Sequence, residues 1–124
     1  LAADTVVWCD ASAAMGKPEH PAEAAAFLAR LSGATHQVTT AWALAGRVAL
    51  EVHEQTTQVT MRALAADEIA AYVEGGEWQD KAGGYAIQGA AAAFVTRIEG
   101  SYTAVVGLPL AEVVARLREL GVVP

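Results

Sequence analysis

The sequence predicts a mixed α/β domain. Three observations carry this: a β-branched apolar run near the start, alternating stretches broken by glycine, and segments with apolar residues every third or fourth position. Thr5-Val6-Val7-Trp8-Cys9 is a short continuous apolar run and reads as a strand buried on both faces. Asp10 to Pro18 reads as a loop. Pro21 suits the first turn of a helix reaching about Leu31, with Ala24, Phe27, Leu28 and Leu31 on one face and Ser32-Gly33 ending it. His36 to Leu44 and Arg47 to Arg62 both alternate, the second through Val48, Leu50 and Val52 and later Val59 and Met61. With Ala45-Gly46 between them they read as antiparallel strands. Asp67 and Glu68 put negative charge at the start of a short helix striped by Ile69, Tyr72 and Val73, which Gly75-Gly76 stops. Phe94 to Ile98 alternates as a further strand. Pro109 opens a last helix with Leu110, Val113, Val114, Leu117 and Leu120 on one face, Glu112 and Arg116 paired outside, and Gly121 as terminator. The antiparallel hairpins exclude a simple doubly wound sheet.

Length and composition narrow the function. A chain of 124 residues and 12.8 kDa is one domain, 1–124. Its hydrophobic fraction is 54% but its aromatic fraction only 6%, and alanine runs such as Ala90 to Ala93 make up the difference. Eight Lys and Arg among fourteen acids, a net charge of −6, cannot form a broad basic face, so nucleic acid is excluded as a partner. A small anionic ligand is not, because local donors and a divalent cation hold a polyphosphate whatever the global charge. Cys9 is the sole cysteine, which excludes a disulfide framework and a thiolate metal cluster. His20, His36 and His53 lack metal-ligand spacing, and Ser12 and Ser32 have no Ser/His/Asp arrangement around them. No window approaches the roughly 20 apolar residues of a membrane span, and no signal-like core precedes the domain, so the expected location is cytoplasmic. The chain opens abruptly in a strand, with Leu1 in place of methionine, and the expectation is that upstream residues are missing.

The densest polar signal is Asp80-Lys81-Ala82-Gly83-Gly84-Tyr85-Ala86-Ile87-Gln88-Gly89, followed by Glu99-Gly100-Ser101-Tyr102 and Val105-Val106-Gly107-Leu108-Pro109-Leu110. No simple helix or strand needs an acid, a base, an amide and three glycines within ten residues, as in Asp80–Gly89. Asp4, at the head of a strand, is either a carboxylate that meets a metal or donor, or a strand-end acid bonded to nearby amides. Lys17, between Gly16 and Pro18, has the reach for a phosphate oxygen, though a loop lysine is commonly just solvated. Asp80 and Lys81 are adjacent, so in extended backbone one meets ligand while the other pairs elsewhere; the plain alternative is a helix start. Gln88 offers the donor and acceptor that reading a base edge requires. Trp42 either narrows a base pocket or packs beneath it.

Taken in order, Ala3-Asp4-Thr5-Val6-Val7, Gly16-Lys17-Pro18 and the two later runs resemble the Maf family of nucleotide pyrophosphatases, from Leu1 to Gly121. The resemblance implies a twisted mixed sheet flanked by helices, of the inosine-triphosphatase-like kind, with a cleft between two lobes. It implies hydrolysis of a nucleoside triphosphate to the monophosphate and pyrophosphate with a divalent cation, magnesium. Asp4 matches the acid-base residue, which also holds the metal, and Lys17 matches the Gly-Lys-Pro lysine. The form of the Asp80–Gly89 run is that of the branch acting on dTTP and UTP, with Thr5, Asp80, Lys81 and Gln88 in substrate-binding positions. The family's upstream Ser-x-Ser-Pro-Arg-Arg loop and a later metal-associated glutamate and lysine have no match here. The expectation is therefore an N-terminally truncated chain that keeps the acid-base residue and the base-reading half of the site while losing the phosphate-gripping half. The rival expectation is a catalytically impaired remnant that binds nucleotide or associates with another subunit, a homodimer included, through an exposed sheet edge.

Overall fold

The computed structural model describes residues 1–10, 13–46 and 49–124, so the positions of Ser12 and Val48 lie outside the described residues. Five strands form one sheet in the order β2-β1-β3-β4-β5: β1 Ala2–Asp10, β2 Ala13–Met15, β3 Thr35–Leu44, β4 Glu51–Met61 and β5 Val95–Glu99. Every pairing is antiparallel, so of the mixed sheet the resemblance implies, the described residues form antiparallel pairs throughout. Among the described residues four α-helices accompany the sheet: α1 Pro21–Leu31, α2 Ala66–Glu74, α3 Tyr102–Val106 and α4 Leu110–Glu119.

The hairpin of β3 and β4 is the rigid centre, registered without a break from Thr35↔Thr60 to Leu44↔Glu51. Its alternation selects one face. His36, Val38, Thr40, Trp42 and Leu44 are buried on β3, and the facing Thr57, Val59 and Met61 are buried on β4. On the opposite face threonines meet across the strands, Thr35 to Thr60 at 2.8 Å and Thr39 to Thr56 at 3.0 Å.

Helix α1 forms as expected. Pro21 starts it, the His20 ring accepts the Glu23 amide as N-cap, and Ala24, Leu28 and Leu31 reach zero exposure against the sheet. Helix α2 packs on α1 and is fastened by Glu68, which accepts the Ala65 amide at 3.1 Å and two bonds from Arg62 at 2.9 and 2.6 Å. The short α3 is docked by buried hydroxyls: Thr40 donates to the Ala104 carbonyl at 2.6 Å, and Thr57 accepts the Ser101 amide at 3.0 Å.

Several expectations are corrected. Strand β1 is not buried on both faces; Val7 alone is fully buried, because an antiparallel sheet with helices on one side leaves its other side open. The expected loop after Asp10 contains β2, which pairs back on β1. Leu50 lies just before β4 and is 70% exposed; Val52 is 63% exposed because the unbroken register admits one inward parity and Val59 and Met61 hold it. Arg116 does not pair with Glu112. It reaches Glu51 with two bonds of 2.8 and 3.0 Å, and Glu119 at 2.9 Å. On α4 the inward face is Val113 with Leu117 and Leu120, while Leu110 and Val114 are exposed. Trp42 packs with Leu44 and Val113 in this second, smaller cluster and also lines an open apolar pocket beside Asp4.

Candidate active site

The Asp80–Gly89 segment turns back on itself to reach β1. Asp80 stands in the left-handed region at φ 60°, a conformation acidic side chains tolerate better than most. Gly83 follows at φ 73°, and a Cβ there would lie 3.0–3.2 Å from the Val7 side chain, so glycine alone lets the segment lie on the strand. The Gly83 amide donates to the Gly16 carbonyl at 3.1 Å, which ties the segment to the Gly-Lys-Pro loop. Beyond it, Tyr85, Ala86 and Ile87 are buried and Gln88 emerges exposed.

That burial is secured by two tyrosines. The Tyr72 hydroxyl accepts the Ala86 amide at 3.0 Å and donates to Glu77 at 2.9 Å. The Tyr85 hydroxyl meets His36 Nε2 at 2.5 Å, with the rings edge to face. Burial lowers the His36 pKa to about 4, keeping the imidazole neutral, and burial raises that of Tyr85, keeping the phenol protonated. Nδ1 of His36 has no partner among the described residues.

These constraints create an open cleft of about 270 Å³. Asp4, Thr5, Lys17, Asp80, Lys81 and Gln88, every site residue expected from the sequence, line it. They come from separate segments: β1, the loop before α1, and the turn after α2. Val38, Tyr85 and Ile87 supply an apolar wall, and Val105, Val106 and Gly107 at the end of α3 supply another. Asp4 and Lys17 are exposed, so each is accessible to a ligand. One Asp4 oxygen accepts the Thr5 amide at 3.0 Å, so the backbone-bonded reading of that acid is realised, and its remaining lone pairs are left for other partners. Thr5 itself touches the Thr40 hydroxyl at 2.9 Å.

No role for His36, Thr40 or Tyr85 was legible from sequence. Tyr85 lay inside the polar run, and Thr40 at an inward position of an alternating strand was the one signal available for it. No group of three or more His, Cys, Asp or Glu side chains that could hold a metal occurs among the described residues. None of their helices is long and apolar enough to cross a membrane.

The profile of the family described as Maf-like protein matches residues 1–120. The chain is 53% identical over 122 residues to the dTTP/UTP pyrophosphatase of Methylobacillus flagellatus, covering 98% of this chain and 61% of that protein. It is 51% identical over 125 residues to that of Myxococcus xanthus, covering 98% and 61%. To that of Geobacter sulfurreducens it is 50% identical over 123 residues, covering 98% and 64%. The chain therefore spans about three fifths of the length of these relatives. A match running through every strand and helix that builds the cleft places the chain in the Maf-like family.

Proposed function

We propose that this cleft binds a pyrimidine nucleoside triphosphate, dTTP or UTP, and directs its hydrolysis to the monophosphate and pyrophosphate. The observation that carries the reading is the convergence of two carboxylates, two lysines and an exposed amide on one cleft, together with relatives named for that activity. Lys17 and Lys81 bind the polyphosphate as point charges, and Gln88 and Thr5 meet the base. Asp4 accepts a proton from water as the water oxygen bonds to one phosphorus of the α–β anhydride, and the bridging oxygen leaves on the other.

The donor set suits magnesium, which is commonly held by one or two carboxylates and completed by phosphate oxygens and water. Asp4 and Asp80 both line the cleft and would hold it. When bound, the ion neutralises polyphosphate charge.

The test is pyrophosphate release from dTTP, UTP, ATP and GTP with magnesium. The two pyrimidine nucleotides are expected to lead, and Asp4→Asn, which keeps size and removes charge, is expected to cost about 100-fold or more. Near-native turnover in Asp4→Asn would remove Asp4 from the chemistry.

A further inference from the structure

The polarity of the base-facing wall follows from counting hydroxyl protons. Thr40 is completely buried and owns one hydroxyl proton. Its oxygen lies 2.6 Å from the Ala104 carbonyl, which can only accept, so that proton is spent there. The contact of 2.9 Å between Thr5 and Thr40 therefore needs its proton from Thr5. Thr5 lines the cleft with its own proton turned inward.

We propose that Thr40 is a positioning residue: by holding the Thr5 proton it leaves Thr5 as an acceptor only. The site then selects a base that presents a ring N–H, the imide of uracil or thymine, over cytosine, whose corresponding ring nitrogen is itself an acceptor. This rests on the nucleotide reading above and adds to it the group that enforces the choice. Gln88 cannot enforce it. It is exposed, and no side-chain hydrogen bond fixes it among the described residues, so its amide turns to offer a donor or an acceptor as the base requires. Thr5 has no such freedom, because its partner Thr40 is anchored to the backbone of α3 and both hydroxyls sit on the unbroken β1–β3 register, Thr5↔Thr40.

The experiment is calorimetric binding of UTP, CTP and N3-methyl-UTP to the chain with magnesium. CTP removes the ring N–H without adding bulk but turns the neighbouring carbonyl into an amino donor. The methylated nucleotide removes the N–H while keeping both carbonyls, so the two together isolate the ring N–H. UTP is expected to bind about 10- to 100-fold more tightly than either, the range for leaving a buried acceptor without its donor. Thr40→Ser, which retains the hydroxyl, keeps that ranking. Thr40→Val frees the Thr5 proton to turn toward cytosine, and the UTP-to-CTP ratio is expected to fall to within about threefold. Thr5→Val removes the acceptor and is expected to level the ratio in the same way. Equal affinity of the native chain for UTP and CTP overturns the proposal while leaving the nucleotide reading standing. An unchanged ranking in a folded Thr40→Val chain overturns it too, and if that chain does not fold, an unchanged ranking in Thr5→Val does so. Binding of no triphosphate at all sinks both.

Discussion

His36 and His53 project from neighbouring strands to the same face of the sheet, each against an aromatic ring, yet the surroundings give them different work. His36 meets the Tyr85 ring edge-on at 5.4 Å and an interplanar angle of 85°, is 1% exposed, and bonds the tyrosine hydroxyl behind the cleft wall. His53 lies flat on Trp42 at 4.3 Å and 21°, with a side chain 41% exposed, and Glu51 stands 3.6 Å from its Nε2. Glu51 in turn holds Arg116 of α4. One end of the sheet thus fixes irregular chain beside the cleft through isolated, buried hydrogen bonds. The other clamps a regular helix with stacking, a small apolar cluster and a solvated ion pair. The difference teaches that a single hairpin carries a helix clamp at one end and a cleft wall at the other, and, on the proposed nucleotide reading, each end can be broken to separate stability from selectivity.

The largest effect is expected at the helix end. Trp42→Ala empties the centre of the cluster formed with Leu44 and Val113 and removes the platform for His53. Truncation of a buried Trp costs about 3 to 5 kcal/mol. Urea unfolding should show that loss, while the ranking of nucleotides bound by the folded fraction stays as in the native chain. A Trp42→Ala chain of undiminished stability, or one with altered ranking, would erase the proposed separation.

Acid should act at the opposite end. Burial holds His36 at about 4 against 6.5 for an unburied histidine, so the unfolded chain takes up the proton first. The stability that comes from keeping the ring neutral is therefore fully present above pH 6.5 and is lost as pH falls toward 4. The loss should be about 2 kcal/mol by pH 5 and about 3 kcal/mol in full. Glu51 and Glu68, held low by hydrogen bonds from Arg116 and Arg62, give stability that disappears only as pH falls from about 4.5, so the window from 6.5 to 5 separates the histidine from them. Unfolding midpoints across that window should slope in the native chain and flatten in His36→Gln. A His36 imidazole that titrates near 6.5 by NMR in the folded chain would refute the buried-neutral state.

Much of this division was legible in the sequence, and the reason lies in which signals are local. The stripe on α1, the Pro21 start and the two glycines after α2 are decided by residues a few positions apart, and they appear as read. The cleft residues were legible because their types have few structural uses at that spacing: Asp80, Lys81 and Gln88 among glycines do not make a core. Burial parity was not legible where it depended on a partner strand. Val52 looks inward on hydropathy, and the register to β3 turns it out. Helix α3 was equally hidden, since five residues rich in Thr and Val carry little helical preference, and it is the buried hydroxyls of Thr40 and Thr57 that dock it. The Arg116 partner could not be read either, because Glu51 lies far away in sequence while Glu112 stands at the helical spacing.

The smallest expected effect returns to the cleft and inverts the Trp42 result. Gln88 is exposed and lines the cleft without a side-chain bond to the fold among the described residues, so replacing it removes little that holds the chain together. Gln88→Glu keeps the shape, replaces the amide donors with a carboxylate that only accepts, and brings negative charge toward the triphosphate. Stability should change by no more than about 0.5 kcal/mol, the usual range for an exposed site. Nucleotide ranking should change, because bases that relied on the amide N–H lose it while those offering an amino group gain an acceptor; the shift is about 1 to 3 kcal/mol between the two classes. Binding of UTP, CTP and ATP, measured beside an unfolding curve on the same preparation, decides it. If all three weaken equally, the loss comes from charge alone and Gln88 does not read the base. If stability falls instead, the cleft and the scaffold are not separable at this residue.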